Sequence, residues 1–460
     1  MPTSRLSTLR LAALIGLLSF AARAAEKPNI VFIFADDWGW GDLGCHGHPY
    51  VKTPNLDRLA REGTDFRQFT VASGVCSPSR AAVLTGQFPA RHSIHGHFAT
   101  VQSHVQRGMP DWLDPKAVML PRLLQQAGYA TAHYGKWHLS NTMVADSPRP
   151  LEYGYDAYGA FNCSGPQMPV HDDVKNSIAF IEKSHAARTP FFINLWMHEP
   201  HTPHYPKPEY LEKFAHLTNE ADRIYAAVLA HADARIGELL AALERLRVSD
   251  NTLVVFSADN GPENTGPASR RVTEDESTGP GLGSFASVGT TGGHRGRKRS
   301  LLQGGIGVPF IARWPGKIPA GKIDAATPIT AVDLLPTFCA LAEAKLPDGY
   351  QPDGVDQTAA LLGKPNPRRI RPIFWQWTTA TKTGDNWPAL AVREGDGKLL
   401  LSRDAQRVEL FRLPEDGFEK TNLSQQEAAE VMRLKARLDT WTATLPKQPA
   451  MNCLSSERTR

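Results

Sequence analysis

Four apolar runs of strand length constrain the fold more than any other feature of this sequence. They are rich in β-branched and aromatic residues, and a cluster of polar residues follows each run. In chain order they read NIVFIFADDWGWGD, YATAHYGKWHLS, PFFINLWMHEPHTPH and LVVFSADNGPEN. Helix-like patterns such as TPNLDRLAREG and EADRIYAAVLAHADARIGELLAALERL lie between them. Strands that alternate with helices predict an α/β fold with a large, mostly parallel sheet sandwiched by helices.

The last quarter of the chain has a different pattern. A Pro-rich segment, 347–372, indicates a boundary, and four short strand-like runs follow it: RPIFWQWTT, ALAVREG, GKLLLSRD and RVELFRL. A helix is expected from about Gln425 to Leu445. The sequence therefore predicts a main domain over residues 25–346 and a smaller C-terminal unit, an antiparallel sheet plus a helix, over residues 347–460.

The N-terminus has the pattern of an export signal. Arg5 and Arg10 precede an apolar run, Leu11–Ala22, and small residues follow it at a plausible cleavage site. The run is too short for a comfortable membrane span, so we expect cleavage after residue 24 and no stable membrane insertion afterwards. The mature chain is expected to be exported, either periplasmic or secreted. A net charge of only +4 indicates no broad polyanion-binding surface, so nucleic acid is not an expected partner.

Two of the strand ends carry oxygen ligands. Asp36 and Asp37 follow the first run, and Asp259 and Asn260 follow the fourth. Ligands of open α/β sheets bind beyond the carboxyl ends of the strands, so these side chains are expected to meet at one edge. Either pair alone is more simply explained as a turn or cap. Together they predict a site for Ca²⁺ or Mg²⁺, because hard cations prefer oxygen ligands.

The other two strand ends and a basic segment carry positive charge. Lys136 and His138 follow the second run, and His198 and His201 follow the third. A single histidine of this kind is more often structural, but lysine and histidine beside a cation site form a pocket for a tetrahedral anion. The segment HRGRKRSLLQGG is mostly a solvated charge cluster, although Lys298 is placed to reach that pocket.

Cys76, in the stretch VCSPSRAAVLTGQ, has three interpretations: half of a disulfide, a thiolate nucleophile, or a side chain that is chemically replaced. A helix is expected to begin near Arg80, a few residues after the cysteine, and its N-terminus would favour an anion. The chain has five cysteines, so at least one thiol has no partner within the monomer. A disulfide explains neither the metal ligands nor Arg80, and cysteine–histidine enzymes do not usually need an all-oxygen metal site.

At this point the sequence resembles a known family. CSPSR followed by LTG is similar to the C-x-P-S-R signature of the type I sulfatases, and the other motifs follow in the family's order. The motifs resemble the branch of arylsulfatase A and N-acetylgalactosamine-6-sulfatase. The resemblance implies an alkaline-phosphatase-like fold. It also implies that a formylglycine-generating enzyme oxidises Cys76 to formylglycine during export, and that the aldehyde hydrate is the nucleophile.

The resemblance also implies a role for each motif residue. One Ca²⁺ would be bound by Asp36, Asp37, Asp259, Asn260 and residue 76. Arg80 would hold the hydrated aldehyde, Lys136 and His138 would contact the nucleophile and the sulfate, and Lys298 would bind the sulfate. His201 matches the histidine that faces the leaving group, with His198 as a nearby competitor. The family commonly has EGGIRVP where this chain has QGGIGVP.

The function implied is hydrolysis of sulfate monoesters, on sulfated carbohydrates or aryl sulfates. One hydroxyl of the hydrate attacks sulfur, and His201 or Lys298 gives a proton to the leaving oxygen. His138 then deprotonates the second hydroxyl, which expels sulfate. Two alternatives remain: a phosphomonoester or phosphonate monoester hydrolase that uses the same nucleophile, and a non-catalytic sulfoglycan-binding protein.

Overall fold

The computed structural model describes residues 27–265, 271–272, 283–284, 286–378, 387–413 and 415–459. The predicted signal, residues 1–24, lies outside these ranges, as does part of the long Gly/Ser/Thr-rich segment after residue 260. Within the described residues, no helix combines the length and the apolar character needed to cross a membrane. The five cysteines all belong to the described part of the chain, and none of them forms a disulfide.

The strands are β1 Asn29–Ala35, β2 Thr64–Phe66, β3 Phe69–Thr70, β4 Ala130–Lys136, β5 Ala157–Phe161, β6 Phe191–Trp196, β7 Thr252–Ala258, β8 Arg271–Val272, β9 Gly283–Ser284, β10 Phe310–Arg313, β11 Lys322–Asp324, β12 Ile329–Thr330, β13 Ile373–Gln376, β14 Leu390–Glu394, β15 Gly397–Leu401 and β16 Val408–Arg412. The α-helices are α1 Pro54–Arg61, α2 Cys76–Thr85, α3 Val101–Arg107, α4 Leu120–Gln126, α5 Asp173–Ala186, α6 Pro208–Lys213, α7 Glu220–Arg245, α8 Gln303–Ile306, α9 Leu334–Leu341, α10 Thr358–Leu361 and α11 Ala428–Ala443.

The main sheet has eight strands in the order β11-β2-β10-β7-β1-β6-β4-β5. Its strands run parallel except β10, which pairs antiparallel with both β7 and β2. The four predicted runs are the neighbouring strands β7, β1, β6 and β4. The predicted fold class is therefore confirmed, and the four polar strand ends lie at one edge of the sheet.

Burial on both faces explains why these strands are so apolar. Every residue of β1 and β7 is buried, because helices cover the sheet on both sides. On one side α7 packs against α1 and α5, and on the other α9 packs against α2 and α4. The long helix α7 begins where the sequence pattern starts, since the Asn219 side chain accepts hydrogen bonds from the backbone of Ala221 and Asp222.

The C-terminal sheet is the antiparallel meander β13-β14-β15-β16 with α11 packed against it, as predicted. Helix α11 buries Leu434, Leu438 and Trp441, which recur at the helical spacing of three to four residues. Trp375 of β13 donates its Nε1 hydrogen to the carbonyl of Val71 at 2.7 Å. The smaller sheet is thus in direct contact with the segment that leads to Cys76.

One predicted boundary was wrong. Helix α2 begins at Cys76, four residues before the expected start near Arg80, and Val75 before it is extended. Pro78 is compatible with this earlier start, because the N–H groups of a first helical turn have no intrahelical acceptor, so a proline there loses no hydrogen bond. Cys76 and Arg80 are consequently one turn apart on the same side of α2.

Candidate active site

The structure brings the four oxygen-bearing residues of β1 and β7 together. The backbone N–H of Asp37 donates to Asp259 Oδ1 at 3.3 Å, and Asn260 Nδ2 donates to Asp37 Oδ1 at 2.7 Å. Asp37 has φ of 66°, the left-handed region that is uncommon for any residue except glycine. This conformation turns the chain immediately after the strand, so that the side chains of Asp36 and Asp37 both stay at the sheet edge.

Cys76 lies beside these carboxylates at the same edge of the sheet. It is 3% exposed, and its Sγ and one carboxylate oxygen each from Asp36 and Asp259 lie within 4.8 Å of one another. Burial raises the pKa of the Cys76 thiol above its ordinary value, although Lys136 acts in the opposite direction. A neutral thiol is a weak nucleophile, so the environment does not favour the thiolate interpretation.

Arg80 is fully buried beneath the carboxylates. Its Nε and Nη2 donate to Asp259 Oδ2 at 2.9 and 2.7 Å, and its Nη1 donates to the Lys136 carbonyl at 3.0 Å. The guanidinium also lies over the Trp196 ring, 4.9 Å from the ring centre. These contacts involve all three nitrogens of the guanidinium and one of its faces, so Arg80 is rigidly held.

Two lysines neutralise the other carboxylates. Lys136 Nζ pairs with Asp36 Oδ2, and Lys298 Nζ lies 2.5 Å from Asp37 Oδ2. Burial alone would lower the pKa of Lys298, but the neighbouring Asp37 raises it above its ordinary value, so this lysine keeps its proton. With Arg80, the lysines give three cationic groups facing three carboxylates.

The donor set fits a divalent cation. Asp36 Oδ1 and Asn260 Oδ1 are buried without a hydrogen-bond partner among the described residues, although buried polar atoms are normally paired. Burial raises the pKa of Asp259 to about 7, and the nearby Asp36 carboxylate adds to this effect. A hard cation would satisfy the unpaired oxygens and stabilise the ionised carboxylates.

His138, His201 and His198 all reach the site, and one ring nitrogen each of His198 and His201 lies within 4.8 Å of an Asp36 carboxylate oxygen. His138 Nε2 lies 2.9 Å from the Phe98 carbonyl, which can only accept, so Nε2 carries the proton and the unpartnered Nδ1 is the basic atom. Burial, followed by Lys136, lowers the pKa of His138 well below its ordinary value. His201 Nε2 lies 3.8 Å from Asp37 Oδ2. His198 Nε2 contacts the Pro203 carbonyl at 3.0 Å, and its Nδ1 has no hydrogen-bond partner among the described residues.

A cavity of about 320 Å³ opens above Cys76 and includes Lys136, His138, His201 and Lys298 in its wall. Sequence reasoning missed its outer lining, which consists of His97, Phe98, Ala99, Asn141, Met143, Asn162 and Arg299. These residues lie on irregular segments without periodicity. Only the position of Asn141 directly after GKWHLS was a usable signal. A larger cavity, about 630 Å³ around Asn29 and Phe191, lies at the opposite edge of the sheet and contains none of the predicted site residues.

Comparisons with known proteins agree with this geometry. The family model described as Sulfatase matches residues 28–344. N-acetylgalactosamine-6-sulfatase of Canis lupus familiaris is 33% identical over 399 residues, covering 77% of this chain and 69% of that protein. Human arylsulfatase A is 32% identical over 390 residues, covering 75% and 70%.

A solved structure matches almost the whole chain. The crystal structure of Ps i-CgsB in complex with k-i-k-neocarrahexaose superposes with a TM-score of 0.74 at 26% identity, covering 93% of this chain and 96% of that one. The match therefore includes the C-terminal sheet as well as the main sheet. The family model spans more than half of the chain, and the two enzyme relatives have the same activity class. The chain belongs to the sulfatase family, the hydrolases of sulfuric esters.

Proposed function

We propose that this sulfatase cleaves sulfate monoesters of carbohydrates with a formylglycine formed from Cys76 and one bound Ca²⁺. The observation that carries the proposal is the floor of the 320 Å³ cavity, where buried Cys76 lies beside Asp36 and Asp259. A neutral buried thiol has little use there as a nucleophile or a disulfide. As an aldehyde hydrate, residue 76 would supply the hydroxyl that attacks sulfur.

The metal ligands in this proposal are Asp36, Asp37, Asp259, Asn260 and residue 76. A bound Ca²⁺, or Mg²⁺ in its place, would polarise a sulfate oxygen and favour the ionised nucleophile. Because three carboxylates already balance three cationic side chains, the added charge would make the site net positive. A positive, dehydrated site favours an anionic substrate.

The remaining residues bind the sulfate and move protons. Lys136 and Lys298 would exchange their carboxylate contacts for sulfate oxygens, and Arg80 would hold the oxygens on residue 76. His201, which lines the cavity, would give a proton to the leaving oxygen. Burial lowers the pKa of His201 well below its ordinary value, and a bound sulfate group would raise it again. Lys298 is the alternative donor, because it is already protonated.

His138 is the proposed base. Its Nδ1 carries no proton and has no partner among the described residues, so it is ready to accept a proton from the second hydroxyl on residue 76. The depressed pKa keeps the ring neutral in the free site, where Lys136 lies nearby. This hydroxyl is what distinguishes formylglycine from a serine, since a serine would have no second oxygen with which to expel sulfate.

The outer cavity supports a carbohydrate leaving group. His97, Asn141 and Asn162 offer hydrogen-bonding groups for hydroxyls, and Phe98 and Met143 offer apolar surface for a ring face. About 320 Å³ is at the small end of ligand sites, which suits a sulfate and one sugar ring. The named substrate of the canine relative and the oligosaccharide in the Ps i-CgsB complex support the same substrate class.

Maturation and organisation complete the proposal. The chain would be exported by its N-terminal signal to the periplasm or medium, with Cys76 converted by a formylglycine-generating enzyme. Residues 25–346 would form the catalytic domain, and residues 347–460 would form a subdomain that supports its loops.

The deciding experiment is a mass measurement on the peptide that contains Cys76, from protein produced together with a formylglycine-generating enzyme. We expect the aldehyde, together with faster hydrolysis of an aryl sulfate than of the matched aryl phosphate. A retained thiol with no turnover would favour the non-catalytic sulfoglycan-binding alternative. An aldehyde with faster phosphate or phosphonate hydrolysis would move the protein to the other hydrolase activities.

A further inference from the structure

One peptide group connects the active site to the protein interior. The carbonyl of Phe98 accepts hydrogen bonds from His138 Nε2 at 2.9 Å and from Asn141 Nδ2 at 3.0 Å. The N–H of Phe98 donates to the hydroxyl of Ser77, the residue after Cys76, at 3.1 Å. Phe98 and Ala99 also line the cavity. The Phe98–Ala99 segment is therefore in contact with both the helix that carries residue 76 and the proposed base.

Behind this segment lies a buried pair of ionisable residues that the proposed reaction does not use. His104 and Asp111 are both fully buried. The N–H of Ala99 donates to His104 Nε2 at 2.6 Å, so Nε2 must be the unprotonated nitrogen. His104 Nδ1 consequently carries the proton and donates to Asp111 Oδ1 at 2.7 Å. The carboxylate thus fixes the tautomer of the ring that holds Ala99.

Residues of the C-terminal tail donate hydrogen bonds to Asp111. Arg458 Nε and the N–H of Ser455 donate to Asp111 Oδ2 at 2.6 and 2.7 Å. The N–H of Asp111 donates to the carbonyl of Cys453 at 2.8 Å. Burial alone would raise the pKa of Asp111, but hydrogen bonds from His104 and Arg458 hold it below its ordinary value. The carboxylate therefore stays ionised and keeps accepting from both sides.

We propose that Arg458, Asp111 and His104 are positioning residues that orient His138 through the Phe98–Ala99 segment. The inference rests on the proposed function, because it takes His138 as the base. The ring of His138 depends on this support: its backbone is in the left-handed region, with φ of 55°, and its described hydrogen bond is the one to Phe98. A shift of the Phe98 carbonyl would turn Nδ1 away from residue 76.

Two substitutions of His104 separate positioning from packing. His104→Asn places an amide near Nδ1, so it keeps the bond to Asp111 but loses the acceptor for Ala99. His104→Gln places its amide near Nε2 and keeps that acceptor. We expect His104→Asn to lower kcat about 10- to 100-fold with little change in KM, because small misplacements of reacting groups cost that much. His104→Gln should recover most of the loss.

Arg458→Met provides an independent test at the other end, in case His104→Asn does not fold. It should lower kcat in the same direction, and adding it to His104→Asn should cost less than the product of the two effects. Asn452→Ala is the matched control: it removes an exposed tail contact to Asp114 that does not involve Asp111. This control should leave kcat unchanged.

The outcomes distinguish the two proposals. A wild-type protein without aldehyde or turnover would reject the proposed function before any variant is compared. With an active wild type and equal aldehyde content, an unchanged kcat in both His104→Asn and Arg458→Met would overturn the positioning role. Equal losses in His104→Asn and His104→Gln that follow the melting temperature would also overturn it, because they would show that the pair acts only through stability.

Discussion

Two buried clusters of charge in this protein are built on different principles. One is the carboxyl edge of the main sheet, where Asp36 and Asn260 each keep a buried oxygen without a hydrogen-bond partner among the described residues. The other lies between the two sheets, where Lys398 and Glu419 form an ion pair with no exposed side-chain surface. Both clusters remove charges from water, which is costly unless every group is paired.

The second cluster is completely paired. Lys398 Nζ donates to Glu419 Oε1 at 2.6 Å, to the Leu301 carbonyl at 2.8 Å and to Gln303 Oε1 at 3.1 Å, which uses all three of its hydrogens. Glu419 Oε2 accepts from the N–H of Gln303 at 2.6 Å. The difference shows that buried charge is not in itself a sign of catalysis. Buried oxygens without hydrogen-bond partners are the better indicator where several of them meet beside a cavity, because they remain available to a ligand there.

The largest expected effect is a loss of activity when the cluster at the sheet edge is changed. Cys76→Ala should reduce kcat by a factor on the order of 10⁴ to 10⁶, as expected when a catalytic nucleophile is removed. The fold should be retained, because the substitution leaves every ion pair of the site in place. Turnover of an aryl sulfate and thermal unfolding measure the two properties separately. Substantial remaining turnover would contradict the assignment of residue 76.

The next largest expected effect is a loss of stability when the Lys398–Glu419 cluster is changed. Lys398→Met should lower the free energy of unfolding by about 3–5 kcal/mol, since it leaves the buried Glu419 charge unpaired. Lys435→Met is the matched control: its exposed pair with Asp439 on α11 contributes only about 0.3–0.5 kcal/mol. Denaturant unfolding gives both values. A small loss for Lys398→Met would show that the fully paired cluster is not a stabilising one.

The smallest expected effect is the stabilisation of the protein by Ca²⁺ and its dependence on pH. Ca²⁺ at 100 times its Kd should stabilise the protein by about 2.7 kcal/mol. Because the folded pKa of Asp259 lies above its unfolded value of 3.8, stability without metal should fall as pH rises through about 7. Ca²⁺ binds the ionised form, so its effect on Tm should be larger at pH 8 than at pH 5.

Two variants sharpen this measurement. Asp259→Asn should remove most of the Ca²⁺ response. Asp42→Asn is the control, because burial also raises the pKa of Asp42 to about 7, but its oxygens accept from Gly39, Thr290 and Tyr225 instead of facing the open site. It should reduce the pH dependence without metal and keep the Ca²⁺ response. An equal Ca²⁺ response in wild type and Asp259→Asn would contradict the ligand set.

The sequence was most informative where a periodic pattern and a polar cluster met. The runs that became β1, β4, β6 and β7 were long, apolar and clearly bounded, so their order of helices and strands predicted a parallel sheet. The rule that strand ends meet at one edge then placed Asp36 beside Asp259, more than 200 positions apart. The small antiparallel sheet was predictable for the same reason, because its runs were also bounded, and only short connections separate β14, β15 and β16.

The rest could not be read from pattern. The strands β2 and β11, at one end of the sheet, have three residues each, too few to show a period. The start of α2 at Cys76 was not marked by a capping side chain, since Val75 before it provides none. The cavity wall around His97 and Asn162, and the support from Arg458, are set by tertiary contacts between distant loops. Such contacts have no local signature in a single sequence.

The hydrogen bond from Lys398 to the Leu301 carbonyl has a consequence for the order of folding during synthesis. The two residues are 97 positions apart, so this contact to the segment that follows Lys298 forms only after β15 has left the ribosome. One support of that segment is therefore added late, after every strand of the main sheet has been made. Since Cys76 is 3% exposed in the finished fold, the proposed formylglycine-generating enzyme would have to act on it before folding is complete.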